Sequence, residues 1–295
     1  VNPAVLAWAL TASAALGARG GTSAARAPLG QTGSSRVVLA TVADKGNRPL
    51  VDLGPDDFIV REAGGAREIF AVRLADYPVV LLIDTGSAAR EDFESIRKAA
   101  AHFVGRIGGQ RPMAIGTLGE PPAMLTTFDD DRAKVMATID ALTASASSES
   151  LLFQAVANAA HVIVATGAPF SAIVIISATA IDATHNPPGE LLAPIFDSGA
   201  IVHVVTNRSS NRNLPGMAGR FSDMLRGLTD QTRGQYTSIF SAASYQVALD
   251  HLADRLSSEM MIEFIEPAGA TPADDVKVGV RVPGAHVRGL GVTRK

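Results

Sequence analysis

Three stretches of this chain are apolar at nearly every position: PVVLLID at 78–84, SAIVIIS at 171–177 and AIVHVVT at 200–206. A strand with one face in water alternates polar and apolar residues, so runs without alternation belong to strands covered on both faces. The segments between them have helical spacing. Phe93, Ile96, Ala100, Phe103 and Ile107 recur at three- and four-residue steps, as do Leu152, Val156, Ala159 and Ile163. Further apolar stripes run through Val135, Met136, Ile139 and Leu142, through Met217, Phe221, Leu225 and Leu228, and through Leu249, Leu252 and Leu256. PGELLAPIFDSG at 188–199 predicts a short helix, PMAIGTL and AMLTTF predict a strand pair, and Asp129–Asp131 supplies caps before the Val135 helix. Strands buried on both faces and alternating with helices predict an α/β fold with a doubly wound, mostly parallel sheet flanked by helices. Ligands of such sheets bind at the carboxyl ends of the strands, which directs attention to the loops 84–90, 143–150 and 177–189.

The flanks follow another rhythm. RVVLATVA, DFIVREA and REIFAVRL before residue 76, and MMIEFIEP and VKVGVRVPG after 259, read as strands separated by turns. Neither end is long enough to stand alone, so the two are expected to meet in a small β-rich module. The expected organisation is therefore a leader over 1–28, a β-rich segment over 29–76, an α/β domain over 77–260 and closing strands over 261–295. The leader, with its apolar run Ala4–Gly17 and small residues up to Pro28, reads as a signal peptide and implies export. No later apolar run reaches the roughly 18 residues of a membrane span.

Composition removes several classes of function. The chain has no cysteine, which excludes disulfides, thiolate metal sites and cysteine nucleophiles. With 26 basic and 29 acidic residues it has no field to gather nucleic acid. Its six histidines are scattered without metal-ligand spacing, and His102, His161 and His203 fall where packing is expected. Gly105, Gly108 and Gly109 read as a helix terminus, and Asn207–Asn213 is a polar loop at a strand end, a candidate contact surface.

The first buried strand ends in Asp84-Thr85-Gly86-Ser87-Ala88. Asp-Thr-Gly after a hydrophobic strand occurs in aspartic proteases, which need two such aspartates sharing a proton, so one reading is a dimeric protease using Asp84. The other starts from VADKGNRPLVDLGPDDFIVREAGGAREIFAV running into PVVLLIDT, and from the closing VKVGVRVPGAHVRGLGVTR. These flanks, with the order of elements between them, resemble the bacterial, acidobacterial-type von Willebrand factor A-related proteins. The resemblance covers nearly the whole chain after the leader and implies a Rossmann-like core.

It also implies an ion site, in which Asp-x-Ser-x-Ser on the first loop, a Thr on the second and an Asp on the third hold magnesium. Here Asp84 keeps the leading position, Gly86 and Ala88 replace the two serines, and Ser87 is out of step by one. Ser150 stands for the Thr, and Ala178 replaces the third-loop acid, with Asp182 four residues on. One carboxylate in register is too little for a hard cation. The expectation is a degenerate site without a cofactor, in which Asp84, Ser87 and Ser150 are turn and cap residues on vestigial ion-site loops. The functional expectation is a non-enzymatic protein-binding, adhesion or scaffolding module. The competing possibility is a metal-dependent ligand binder using Asp84, Ser87, Ser150 and Asp182.

Overall fold

The computed structural model describes residues 34–293 apart from 108–110, 184–187, 209–214, 267–272 and 274. The leader, Gly108, Gly109, His185 and most of the Asn207–Asn213 loop lie outside the described residues.

The amino-terminal flank forms β1 (Ser35–Ala43), β2 (Phe58–Glu62), β3 (Gly65–Arg67) and β4 (Ile69–Leu74). The core then runs β5 (Val79–Ile83), α1 (Phe93–Arg106), β6 (Met113–Thr117), α2 (Arg132–Ala141), α3 (Leu152–Val164), β7 (Ala172–Ser177) and α4 (Pro188–Ser198). It continues with β8 (Ile201–Asn207), α5 (Pro215–Gln231), β9 (Gln235–Ile239) and α6 (Ser244–Ser257). The closing strands are β10 (Glu259–Ile265), β11 (Val276–Val280) and β12 (His286–Val292).

β5 to β9 make a parallel sheet in the order β6-β5-β7-β8-β9. Successive side chains of a strand point to opposite faces, and here both faces are covered. Val79, Leu81 and Ile83 join a core with α1, α2 and α6, while Val80 and Leu82 join a second with α3, α4 and α5. Burial of one such side chain is worth about 1.5–3 kcal/mol, so these runs, rather than helix propensity, hold the sheet together.

Residues 123–128 were expected to be a strand paired with β6. They meet it through Thr117 N to Ala123 O at 2.9 Å, Leu125 N and Thr126 N to Ile115 O at 2.7 and 3.3 Å, Ile115 N to the Thr126 hydroxyl at 2.8 Å and one bridge, Gly116 to Met124, without forming a regular strand. β9 was not anticipated: its QYTSI sequence is half-buried at the sheet edge and has no apolar run to announce it.

The flanks do meet. β1 pairs antiparallel with β10 and β12, β4 pairs with β10, and β11 pairs with β2. They form two sheets rather than one, in the orders β12-β1-β10-β4 and β11-β2-β3, enclosing Val38, Ala40, Phe58, Val60, Ile262 and Phe264. The other face of the four-stranded sheet contributes Leu39, Met261 and Leu290 to the core under α1 and α6. The β-rich part is thus fused to the α/β core.

Glu259 opens β10 at this junction and is 1% exposed. Tyr77 donates its hydroxyl to Glu259 Oε2, and the Arg111 guanidinium lies 4.3 Å from the Tyr77 ring centre and 3.9 Å from the carboxylate. Burial pushes the Glu259 carboxyl up to about 7, against the opposing pull of Tyr77, Arg111 and Arg255. The folded chain therefore holds a proton that the unfolded chain, with an ordinary glutamate, has already released. Stability falls as pH rises from about 4.5 to about 7 and levels off above, by on the order of 2–3 kcal/mol. Melting temperatures measured across that window should show the slope in the wild type and lose it in Glu259→Gln.

His203, on β8, is fully buried, and burial with help from Arg255 pushes its imidazole down to about 3. It is neutral and packed, as expected for a histidine inside a strand.

Candidate functional site

β5 and β7 are neighbours, but the chain leaves β5 toward β6 on one side and returns to β7 on the other. This is the switch point at which open α/β sheets leave a crevice. Asp84, immediately after β5, is 0% exposed in that crevice. Its Oδ1 accepts from Gly86 N at 3.0 Å and from Ser150 Oγ at 2.5 Å. Its Oδ2 accepts from Ala178 N at 3.0 Å and lies 3.1 Å from Ser177 Oγ, whose single proton is shared with the Thr179 carbonyl at 2.6 Å. One carboxylate thereby ties three loops together.

The structure brings Asp84 and Ser150 together but not Ser87. Ser87 is exposed, and its backbone N–H is spent on Ser148 O at 2.7 Å. Gly86 is where it is for a steric reason: a Cβ on it would lie 2.2 Å from Ser150 Oγ and 3.2 Å from Asp84 Oδ1. Asp182 serves another element. Its Oδ1 accepts from Leu152 N at 2.6 Å and Phe153 N at 3.4 Å, capping the free amides that open α3.

Two further groups close the crevice. Tyr245, fully buried on α6, donates to the carbonyl of Ser177 at 2.9 Å. Burial, with Asp92 and Asp84 nearby, holds its phenol well above the usual range, so it is a fixed donor and not a proton carrier. Asn207 at the end of β8 is 1% exposed and donates to Asp92 Oδ2 at 2.7 Å. Asn207, at the start of the Asn207–Asn213 loop, is therefore a latch onto the α1 entry, while Arg208 beside it is exposed. No group of three or more His, Asp or Glu placed to hold a metal occurs among the described residues.

Asp131 caps α2 through Lys134 N at 2.8 Å, as the acidic run predicts. α1 ends at Arg106, just beyond Gly105.

The chain matches no family model, and no curated protein matches it in sequence. Among solved structures it is similar to a von Willebrand factor type A protein from Catenulispora acidiphila, at 10% identity and a TM-score of 0.53. That alignment covers 89% of this chain and 74% of that one.

The fold is of von Willebrand factor A type.

Two other structures agree. The pilus adhesin SpaC from Lactobacillus rhamnosus GG aligns at 9% identity and a TM-score of 0.52, covering 83% of this chain and 47% of its own. Proximal thread matrix protein 1 from the mussel byssus aligns at 10% identity and 0.51, covering 73% and 49%. This chain spans about half the length of those two. Within the von Willebrand factor A fold, the Asp84 crevice lies on the loops where the sequence resemblance places an ion site.

Sequence reasoning found Asp84 and Ser150, and missed Ser177, Tyr245 and Asn207 as members of the same cluster. Ser177 is 93 residues from Asp84 and Tyr245 is 68 from Ser177, so only the folded sheet joins them.

Proposed function

We propose that this chain is an exported, non-enzymatic adhesion or scaffolding module that engages a protein partner at the carboxyl ends of its parallel strands without a bound metal. The observation that carries the reading is the state of Asp84. A hard cation needs free oxygen lone pairs in near-octahedral array, and the Asp84 oxygens already face three protein donors and a share of a fourth. Gly86 leaves no room for the serine of the ion motif, Ser87 points elsewhere and Asp182 caps a helix. The residues present do not fit magnesium.

The non-enzymatic reading is supported by the same geometry. An aspartic protease needs a second carboxylate against the first, whereas Asp84 meets hydroxyls and amides. No helix among the described residues is long and apolar enough to cross a membrane, and the leader of the sequence favours export.

The test is partner capture. The purified chain, immobilised and exposed to envelope proteins of its source cells, is expected to retain the same protein in chelator and in millimolar magnesium. Capture that requires magnesium would overturn the metal-free reading.

A further inference from the structure

A cleft of about 440 Å³ opens between the start of α1 and the residues following α2, a volume within the range of small-ligand and side-chain pockets. Its floor is apolar: Phe93 is 8% exposed, and Leu142 and Ala144 are half-buried beside it. The cleft borders the Asp84 loops, because Ser145 N donates to Thr85 O at 2.8 Å and Ser87 N to Ser148 O at 2.7 Å.

The charges on its rim are unequal in their commitments. Glu94 Oε2 accepts from Arg97 Nε at 3.2 Å and Nη2 at 2.8 Å, and its other oxygen meets Lys98 at 3.2 Å. The remaining arm of Arg97 reaches Asp140, at 3.3 Å to the carbonyl and 3.5 Å to the carboxylate. The two carboxylates, Glu94 and Asp140, are thus balanced by Arg97 and Lys98. Arg90, exposed on the same rim, makes no side-chain hydrogen bond or ion pair among the described residues. A guanidinium presents a planar fork matched to a carboxylate, and it keeps its charge at every physiological pH.

We infer that this cleft binds an acidic peptide segment of the protein partner, with Arg90 taking its Asp or Glu carboxylate and Phe93, Leu142 and Ala144 taking the apolar neighbour. The inference rests on the metal-free reading: a fixed cation beside the vestigial ion loops does the work of recognising an acid without a metal. The first turn of α1 adds the positive end of its dipole.

The test is fluorescence anisotropy with a labelled, capped peptide Ala-Leu-Glu-Leu-Ala and its Gln counterpart, in chelator and in magnesium. The Glu peptide is expected to bind in chelator, and to bind about tenfold more weakly as the Gln isostere or to Arg90→Gln, the loss of one charged hydrogen-bonded pair. Arg61→Gln, which removes an exposed cation on β2, should leave the affinity unchanged. Equal affinities for the Glu and Gln peptides, an unaltered Arg90→Gln, or no binding in either condition would each overturn the assignment while leaving the metal-free reading intact. Binding that appears only with magnesium would overturn both.

Discussion

Asp84→Ala is expected to destabilise the metal-free chain by about 3–4 kcal/mol, because a buried donor stripped of its acceptor costs about 1–3 kcal/mol. The substitution strands Gly86 N, Ala178 N and the Ser150 hydroxyl in a crevice closed to water. The hydroxyl can rotate toward another acceptor, whereas the two amides cannot. Asp84→Asn should fall between, since its one acceptor oxygen serves one side of the cluster while its amide faces donors on the other. Urea midpoints of the three proteins measure this directly. A carboxylate waiting for an absent ion predicts the opposite sign, because removing an uncompensated buried charge relieves the fold. Against a total stability of about 5–15 kcal/mol for a domain, either outcome is readable.

The second large effect lies in the β-rich part. Arg36, on β1, is ion-paired to Glu62 on β2 and lies 3.7 Å from Glu266, with side-chain exposures of 5%, 1% and 1%. It also donates to the carbonyls of Ala273 at 3.0 Å and Thr293 at 3.1 Å, so it joins both small sheets to the chain beyond β12. Burial alone would raise the Glu62 carboxyl. Arg67 at 3.0 Å, the Ala273 amide and Arg36 outweigh it and hold the group below the ordinary glutamate value.

Removing one partner of a buried pair costs about 3–5 kcal/mol, because the other charge is left uncompensated. Arg36→Met should cost that much, and Arg36→Met combined with Glu62→Leu should recover part of it, with Glu266 as the remaining liability. A double-mutant cycle on urea midpoints gives the coupling. Because Leu39, Met261 and Leu290 tie this sheet into the core under α1 and α6, the loss should appear as one cooperative transition and not as separate melting of a β-rich end.

Much of the core was legible in the sequence for a simple reason. β5, β7 and β8 are buried on both faces, and such strands must be apolar throughout. β9 was illegible because an edge strand that is half-buried has no such constraint. The flanking strands could be read from alternation, but not their division into two sheets. That division depends on β10 pairing with both β1 and β4, a choice among several equally apolar partners.

At the site, Asp84 and Ser150 stood out by position in loops. Ser87 was already out of step by one in the sequence, and it is exposed in the fold. Asp182 resembled a displaced ligand but is a helix cap, since a carboxylate four residues past Ala178 can reach the open amides of α3 as readily as an ion. Arg90 carries no motif at all. What distinguishes it is that Glu94 is occupied by Arg97 and Lys98, which only the folded side chains reveal.

The central claim, that Asp84 is a staple and not an ion ligand, is met most directly by the melting temperature of the purified chain in chelator and in millimolar magnesium or manganese. A ligand that binds only the folded state stabilises it by about 2.7 kcal/mol at a hundred times its dissociation constant, well within detection. The account predicts superimposable transitions in all three conditions. A metal-dependent rise that disappears in Asp84→Ala would contradict it.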